Sequence, residues 1–520
     1  MAAAGGGPCV IAVDVGSSSV KAGLYDARAQ LVPETLVRED SRIEVTADGG
    51  AEIDAAALAE RAERVVDAVL ARAGGREVAA VGLDTIAHTV CGVDEGGHPV
   101  TPLYTYADRR SREDVLALRR ELDAAAVYAR TGAPLHTAYL PARLRWLRRA
   151  RPQLEARSRR FVDFGTYLFG RWFGRLVPTS YSIASWSGLL DRERLQWDAA
   201  LLRHLGVAAD RLPPLADYDE AQTALAADLA SRWPSLREAR FFLAVGDGAS
   251  ANVGSGCVSA GRLALTVGTT GAVRMVLTDR MPPVPPGLWA YKIGASETLM
   301  GGALSEGGNV FEWARSTLHL PGADELETAL AALPPDGHGL TVLPLLTGER
   351  SPGFAANARG AIDGLDASTS ALEILQALLE AVCYRFALVT RLIQGSVPGE
   401  SAIVASGGAI SRSRYWCQLM ADVLGQPISL SREEELTSRG TAILAWRALG
   451  TWSTLQDVPL RAEEVYAPDP LRTSTYQVAI ERQHGLYDAL IGHEEEIRSS
   501  VAAAARGPRS HSHKLRERRD

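Results

Sequence analysis

Two short segments half a chain apart share one pattern, and together they restrict what these 520 residues can fold into. In CVIAVDVGSSSVKAGLYD, residues 9–26, a β-branched apolar run meets Gly16 and three serines before apolar residues resume. In LALTVGTTGAVRMVL, residues 263–277, a similar run meets Gly268 and two threonines. Each reads as a β-hairpin with a hydroxyl-rich tip. Placing Gly268 on Gly16 aligns Val267 with Val15, Thr269 and Thr270 with Ser17 and Ser18, and Ala272 with Val20. The offset of 252 residues is about half the chain, so the sequence reads as two related halves, each opening with the same hairpin.

The segments between the hairpins fit that reading. An amphipathic helical pattern covers 55–73, a strand pattern covers 78–83, and strand and helix patterns alternate as far as Gly254, which predicts α/β sheets. Long apolar helices are expected at 371–393, 414–424 and 437–449, with a strand at 401–408. With 46% apolar and 22% charged residues there is ample material for two large cores. The expected organisation is one half over 9–256, a second half over 257–455, a partly helical extension over 456–500 and a disordered basic tail over 501–520.

Composition excludes several partners. A formal net charge of −7 supplies no positive field for nucleic acid or an anionic membrane. No run approaches the roughly 20 apolar residues that span a bilayer, and the start lacks the basic region of a signal peptide. Five scattered cysteines with no CxxC pair argue for a reducing, cytoplasmic setting and against a zinc site or disulfide framework.

Lysine occurs only at Lys21, Lys292 and Lys514, and none follows a glycine, which excludes a Walker A loop. No GxGxxG follows a strand, so dinucleotide binding has no support either. The two hairpins remain. Backbone N–H groups and hydroxyls in a tight turn bind phosphate oxygens, which makes Ser17, Ser18, Ser19, Gly268, Thr269 and Thr270 candidate phosphate ligands. Lys21 can reach a terminal phosphate as a point charge. Asp14, at the end of the first strand, can hold magnesium through water.

The string Asp14-Val15-Gly16-Ser17-Ser18-Ser19-Val20-Lys21 resembles the first phosphate motif of the FGGY carbohydrate kinases. Gly268-Thr269-Thr270-Gly271 resembles their second, and Gly348-Glu349-Arg350-Ser351-Pro352 their Gly-Glu-Arg-Ser/Ala-Pro segment. Arg359-Gly360, Gly364-Leu365, Gly407-Gly408-Ala409 and Arg439-Gly440-Thr441-Ala442 follow in the expected order. The resemblance, over about residues 9–450, implies two ribonuclease-H-like domains of the actin and hexokinase superfamily, sugar-binding over 9–256 and nucleotide-binding over 257–455, with ATP and Mg2+ in the cleft between them. It implies a general base at Asp247, and contacts to the nucleotide from Gly308, Gly408 and Ala409.

On the acceptor side the resemblance points to His88, Asp108, Arg110, His136, Asp247 and Gly248. Thr131-Gly132-Ala133-Pro134-Leu135-His136 looks most like gluconate kinases, which implies phosphorylation of a terminal primary hydroxyl of D-gluconate. His88, His136, Arg109 and Arg110 are then the cationic or donor partners expected for its carboxylate. Ser180 and Glu306 depart from the gluconate kinase pattern, and a carboxylate at 306 would repel the substrate's if the two met. A xylulose, ribulose or other polyol kinase is the alternative, and a catalytically silent sugar-binding regulator is the rival from another class. The expected partner is a small sugar or sugar acid, with no nucleic acid and no membrane. The oligomeric state stays open, a homodimer among the options.

Overall fold

The computed structural model describes residues 7–278, 282–355, 358–433, 435–458, 463–492, 501 and 505. The expected tail therefore lies almost wholly outside the described residues.

Both predicted hairpins form. Cys9–Val15 pairs antiparallel with Ser19–Tyr25, and Arg262–Val267 with Gly271–Leu277. β-Branched and leucine side chains fill these strands, and nearly every residue in them is buried, which is what a strand covered on both faces requires. Each leading strand then takes a parallel neighbour on its other side, Val78–Thr85 in the first half and Ala402–Ser406 in the second. The same antiparallel and parallel pairings recur in both halves, and each is the centre of a seven-stranded sheet.

The amphipathic helix Ala55–Arg72 covers the first sheet with Leu58, Ala62, Val65 and Val69. Its start is capped by Asp54, whose carboxylate accepts from the N–H groups of Ala56 and Ala57. Over the second sheet lies the 26-residue helix Ala371–Ser396, opened by a reciprocal cap between Ser370 and Glu373. In the expected extension, the helix Pro470–Leu490 packs Tyr476, Ala479 and Ile480 into the second core.

Two features were not legible in the sequence. The apolar run before Asp247 is not one strand: Arg240–Phe242 and Val245–Gly246 pair separately with Val78–Thr85. Asp247 therefore opens the helix Asp247–Gly254 instead of ending a long strand. The helix Leu436–Ala448 belongs by sequence to the second half but lies against the first sheet, where Ala442, Ala445 and Trp446 meet Val10, Ala12, Ala80 and Phe242. It also crosses Asp247–Gly254 at backbone contact. A Cβ on Gly440 would sit 1.8 Å from the Ser250 carbonyl oxygen, and one on Gly254 would sit 1.9 Å from that of Leu436.

Candidate active site

Three carboxylates converge at the C-terminal edge of the first sheet. Asp14 and Asp84 face each other across the parallel strands Cys9–Val15 and Val78–Thr85, and Val245 pairs beside Asp84, which brings Asp247 next to both. Asp84 is fully buried. Its Oδ2 accepts from Thr441 Oγ1 at 2.6 Å, while its Oδ1 has no hydrogen-bond partner. Burial raises the proton affinity of Asp14, Asp84 and Asp247, and repulsion adds to it, from Asp247 at Asp14 and from Asp14 and Asp247 at Asp84. Lys21 and Arg274 work against that rise, at Asp14 and Asp247 respectively. Hard carboxylate oxygens suit a divalent cation such as Mg2+, and Asp14, the residue expected to hold it through water, has Asp84 and Asp247 as neighbours. Asp84 was missed in the sequence, where it is a lone aspartate ending an apolar run.

The repeat shows what is particular to the first half. In the second half the positions matching Asp14 and Asp84 are Thr266 and Ser406, whose hydroxyl oxygens lie 3.3 Å apart. One half presents carboxylates and the other hydroxyls.

The hairpin tips meet in a cavity of about 1210 Å3. Of the expected phosphate and nucleotide residues, Ser18, Gly268, Thr269, Gly308, Gly408 and Ala409 all line it. The helix Gly308–Thr317 is docked onto the second tip by the Gly308 N–H, which donates to the Gly268 carbonyl at 2.7 Å. Ser17 stays at the half-buried tip, whereas Ser19 is buried at the head of its strand. Lys21 is engaged from the other half: its Nζ donates to Glu435 at 2.7 Å. A phosphate contact by Lys21 therefore requires exchange of that partner.

A second cavity, of about 1140 Å3, lies on the other side of Thr269 and is lined by Thr270, His136, Tyr106, Arg109, Arg112, Arg119, Arg350 and Arg359 among others. Here the expectations need correction. Asp108 and Arg110 do not reach it: Arg110 donates to Asp108 and Glu52, each at 2.5 Å, and stacks over Trp146 with Asp108 buried beside it. A guanidinium already satisfied by two carboxylates and a ring face has no vacancy for substrate.

His88 and His136 are not cations. Burial, assisted by nearby arginines, pushes both imidazoles down to about 3, so they are neutral at physiological pH. His88, in the left-handed conformation at φ 59°, is 2.6 Å through Nδ1 from the Trp186 carbonyl oxygen, and Tyr139, Trp186 and Tyr291 surround its ring. His136 Nδ1 accepts from Ala138 N–H at 3.2 Å, which leaves Nε2 as a donor. Charge on this side comes from arginines. Arg274, which the sequence reading missed, lies partly buried near Asp247, and desolvation lowers its own pKa to about 10. Gly248 donates its N–H to Asp247 Oδ1 at 2.7 Å, so it holds the carboxylate.

Glu306 is buried in the loop after Thr298–Leu304, and neither carboxylate oxygen has a hydrogen-bond partner. Burial pushes its pKa up to about 7. All five cysteines are buried and none forms a disulfide. No described helix is long and apolar enough to cross a membrane.

Residues 9–254 match the N-terminal domain of the FGGY family of carbohydrate kinases, and residues 263–449 match its C-terminal domain. The chain is 25% identical to a gluconokinase of Bacillus subtilis (strain 168) over 486 residues, covering 89% of this chain and 92% of that protein. Among solved structures, a gluconate kinase from Lactobacillus acidophilus superposes with a TM-score of 0.87 at 26% identity, over 93% of this chain and 98% of the other. A ligand-bound xylulose kinase from the same organism gives the same TM-score, identity and coverage.

Proposed function

The chain belongs to the FGGY family of carbohydrate kinases, and from that premise we propose that it transfers the γ-phosphoryl group of ATP to the terminal primary hydroxyl of D-gluconate, giving 6-phosphogluconate. The observation that supports the reaction is the proximity of Asp247 to Asp14 and Asp84 at the edge of the first sheet, together with one cavity lined by hairpin tips from both halves.

In this reading Ser17, Ser18, Thr269 and Thr270, with the backbone N–H groups of the two tips, hold the phosphates, and Gly308, Gly408 and Ala409 border the nucleoside. Asp247 accepts the proton of the acceptor hydroxyl as its oxygen attacks the γ-phosphorus and ADP departs. The Gly248 N–H and Arg274 keep that carboxylate oriented and ionised. Mg2+ held through water by Asp14 would supply charge neutralisation on the phosphates. The aromatic wall of Tyr139, Trp186 and Tyr291, with Trp186 and Tyr291 stacked at 4.2 Å, excludes water around His88.

Gluconate is supported by the gluconokinase relative and by the arginines on the acceptor side. The equal likeness to a xylulose kinase supports a second reading, phosphorylation of a ketose. A coupled ADP-release screen of gluconate, xylulose, ribulose, glycerol and erythronate separates them. Gluconate is expected to give the largest kcat/KM. A strong ketose signal with none from gluconate would reject the gluconate assignment and keep the kinase.

A further inference from the structure

The helix Arg112–Glu121 presents one face to the acceptor-side cavity, with Arg112, Val115, Leu116 and Arg119 all lining it. That i, i+3, i+4, i+7 spacing places two guanidinium groups two turns apart on the same wall. Arg109 lies just before the helix, and its Nη2 donates to the Thr347 carbonyl of the other half. Arg350 and Arg359 complete the cavity from that half.

Against these five arginines, Glu349 is the one carboxylate among the described lining residues, and its charge is already spent. It accepts from buried Arg385, from Tyr487 at 2.5 Å and from the Ala355 N–H at 3.1 Å. The wall is therefore net positive and faces a space of about 1140 Å3. A surplus of guanidinium forks lining a cavity is complementary to a compact anion, a carboxylate or a phosphate. The triphosphate of the nucleotide has its own cavity, which shares Thr269 and Asn309 with this one but neither Arg112 nor Arg119.

We propose that Arg112 and Arg119 bind an anionic group on the acceptor, so that the enzyme selects an acid over the matching neutral sugar or polyol. The inference rests on the kinase reading above but not on gluconate itself. It makes two residues of one short helix the determinants of acceptor class.

The test compares matched ligands by calorimetry and steady-state kinetics: gluconate against glucitol, erythronate against erythritol, and glucose 1-phosphate against glucose. The proteins are wild type, Arg112→Gln, Arg119→Gln, the double variant and Arg119→Lys. Wild type is expected to bind at least one acid about ten-fold more tightly than its neutral partner, with a KM for the acid that rises with ionic strength. The double variant should lose about that factor for the acid and nothing for the neutral ligand. Its KM for ATP should stay within about two-fold, and Arg119→Lys should recover part of the loss. Preference for the carboxylates over glucose 1-phosphate identifies the anion as a carboxylate, and the reverse identifies a phosphate. A preference for an acid other than gluconate sustains this inference and removes gluconate. Equal binding of acid and neutral ligand by wild type, an acid preference that survives in the double variant, a matching loss of ATP affinity, or no binding by any acid overturns it. Turnover of ketoses with no acid bound overturns the gluconate assignment as well.

Discussion

Burial acts in one direction on every carboxyl at the floor of this cleft, and its sign sets how the enzyme should respond to pH. Asp247 must be ionised to accept a proton, and its pKa lies above the ordinary carboxylate value because desolvation outweighs the pull of Arg274. Activity should therefore be lost as pH falls through an acidic limb that lies above the usual range for aspartate. A kcat/KM profile with no acidic limb above the ordinary aspartate range would remove Asp247 as the base. Asp247→Asn keeps the shape and the Gly248 contact but cannot take the proton. Its turnover is expected to drop about 10^3-fold or more, with the Kd for ATP within about three-fold by calorimetry.

Glu306 is a second raised carboxyl, buried with no hydrogen-bond partner for either oxygen. Its folded pKa of about 7 exceeds the ordinary 4.5, so the folded state binds the extra proton and loses stability as pH rises between those values. The loss amounts to about 3 kcal/mol once complete. Glu306→Gln should be more stable than wild type, and the gap in Tm between the two should widen from pH 5 to pH 8. A gap that does not change with pH contradicts the burial argument. Single residues were legible in the sequence where a motif framed them, as Asp14 and Thr269 were, and illegible where only the fold brings them together. Asp84 has no motif around it, and the pairing of Arg110 with Glu52 spans 58 residues that no local pattern connects.

Elements with strong periodicity were read from sequence with their bounds nearly intact, because an apolar stripe or an alternating run is a property of the segment alone. The hairpins, the helix Ala55–Arg72 and the helix Arg414–Leu424 are of this kind. Periodicity does not say against what a stripe packs. The helix Leu436–Ala448 was foreseen as a helix, but not as a lid on the first sheet. Its small residues let Asp247–Gly254 approach at backbone contact, and Thr441 meets Asp84 from that helix. The helix that begins with the base is thus held by one that also orients the neighbouring carboxylate. Gly440→Ala puts a methyl group into the Ser250 carbonyl and should push the two helices apart. A Tm drop of several degrees with at least a ten-fold fall in kcat is expected, measured by calorimetry and the coupled assay. Wild-type kcat in this variant would show that the crossing does not position the base.

At the level of the whole molecule, duplication supplied two copies of one scaffold and divergence gave them different chemistry, carboxylates in one copy and hydroxyls in the other. The copies are tied by contacts that sequence could not disclose. Tyr139 and Tyr291 share a hydrogen bond of 2.6 Å, Lys21 reaches Glu435, and Tyr128 donates to the Pro285 carbonyl at 2.8 Å. Such ties flank the first hairpin at Lys21 as well as the aromatic wall at Tyr139 and Tyr291, so binding and any relative movement of the halves are coupled through the same side chains.

The crossing helix also imposes an order of events at the ribosome. When residue 254 has been made, Val10, Ala12, Ala80 and Phe242 form an apolar patch whose cover is still unsynthesised. At about 5–20 residues per second, roughly 10–40 s pass before Leu436–Ala448 appears. During that interval the nascent first half is a natural client for a chaperone that binds exposed apolar surface. A fragment of residues 9–254 made alone should aggregate or bind a hydrophobic dye, and co-expression of residues 255–492 should return it to solution. A monomeric fragment that binds no dye would mean that the patch closes without its lid.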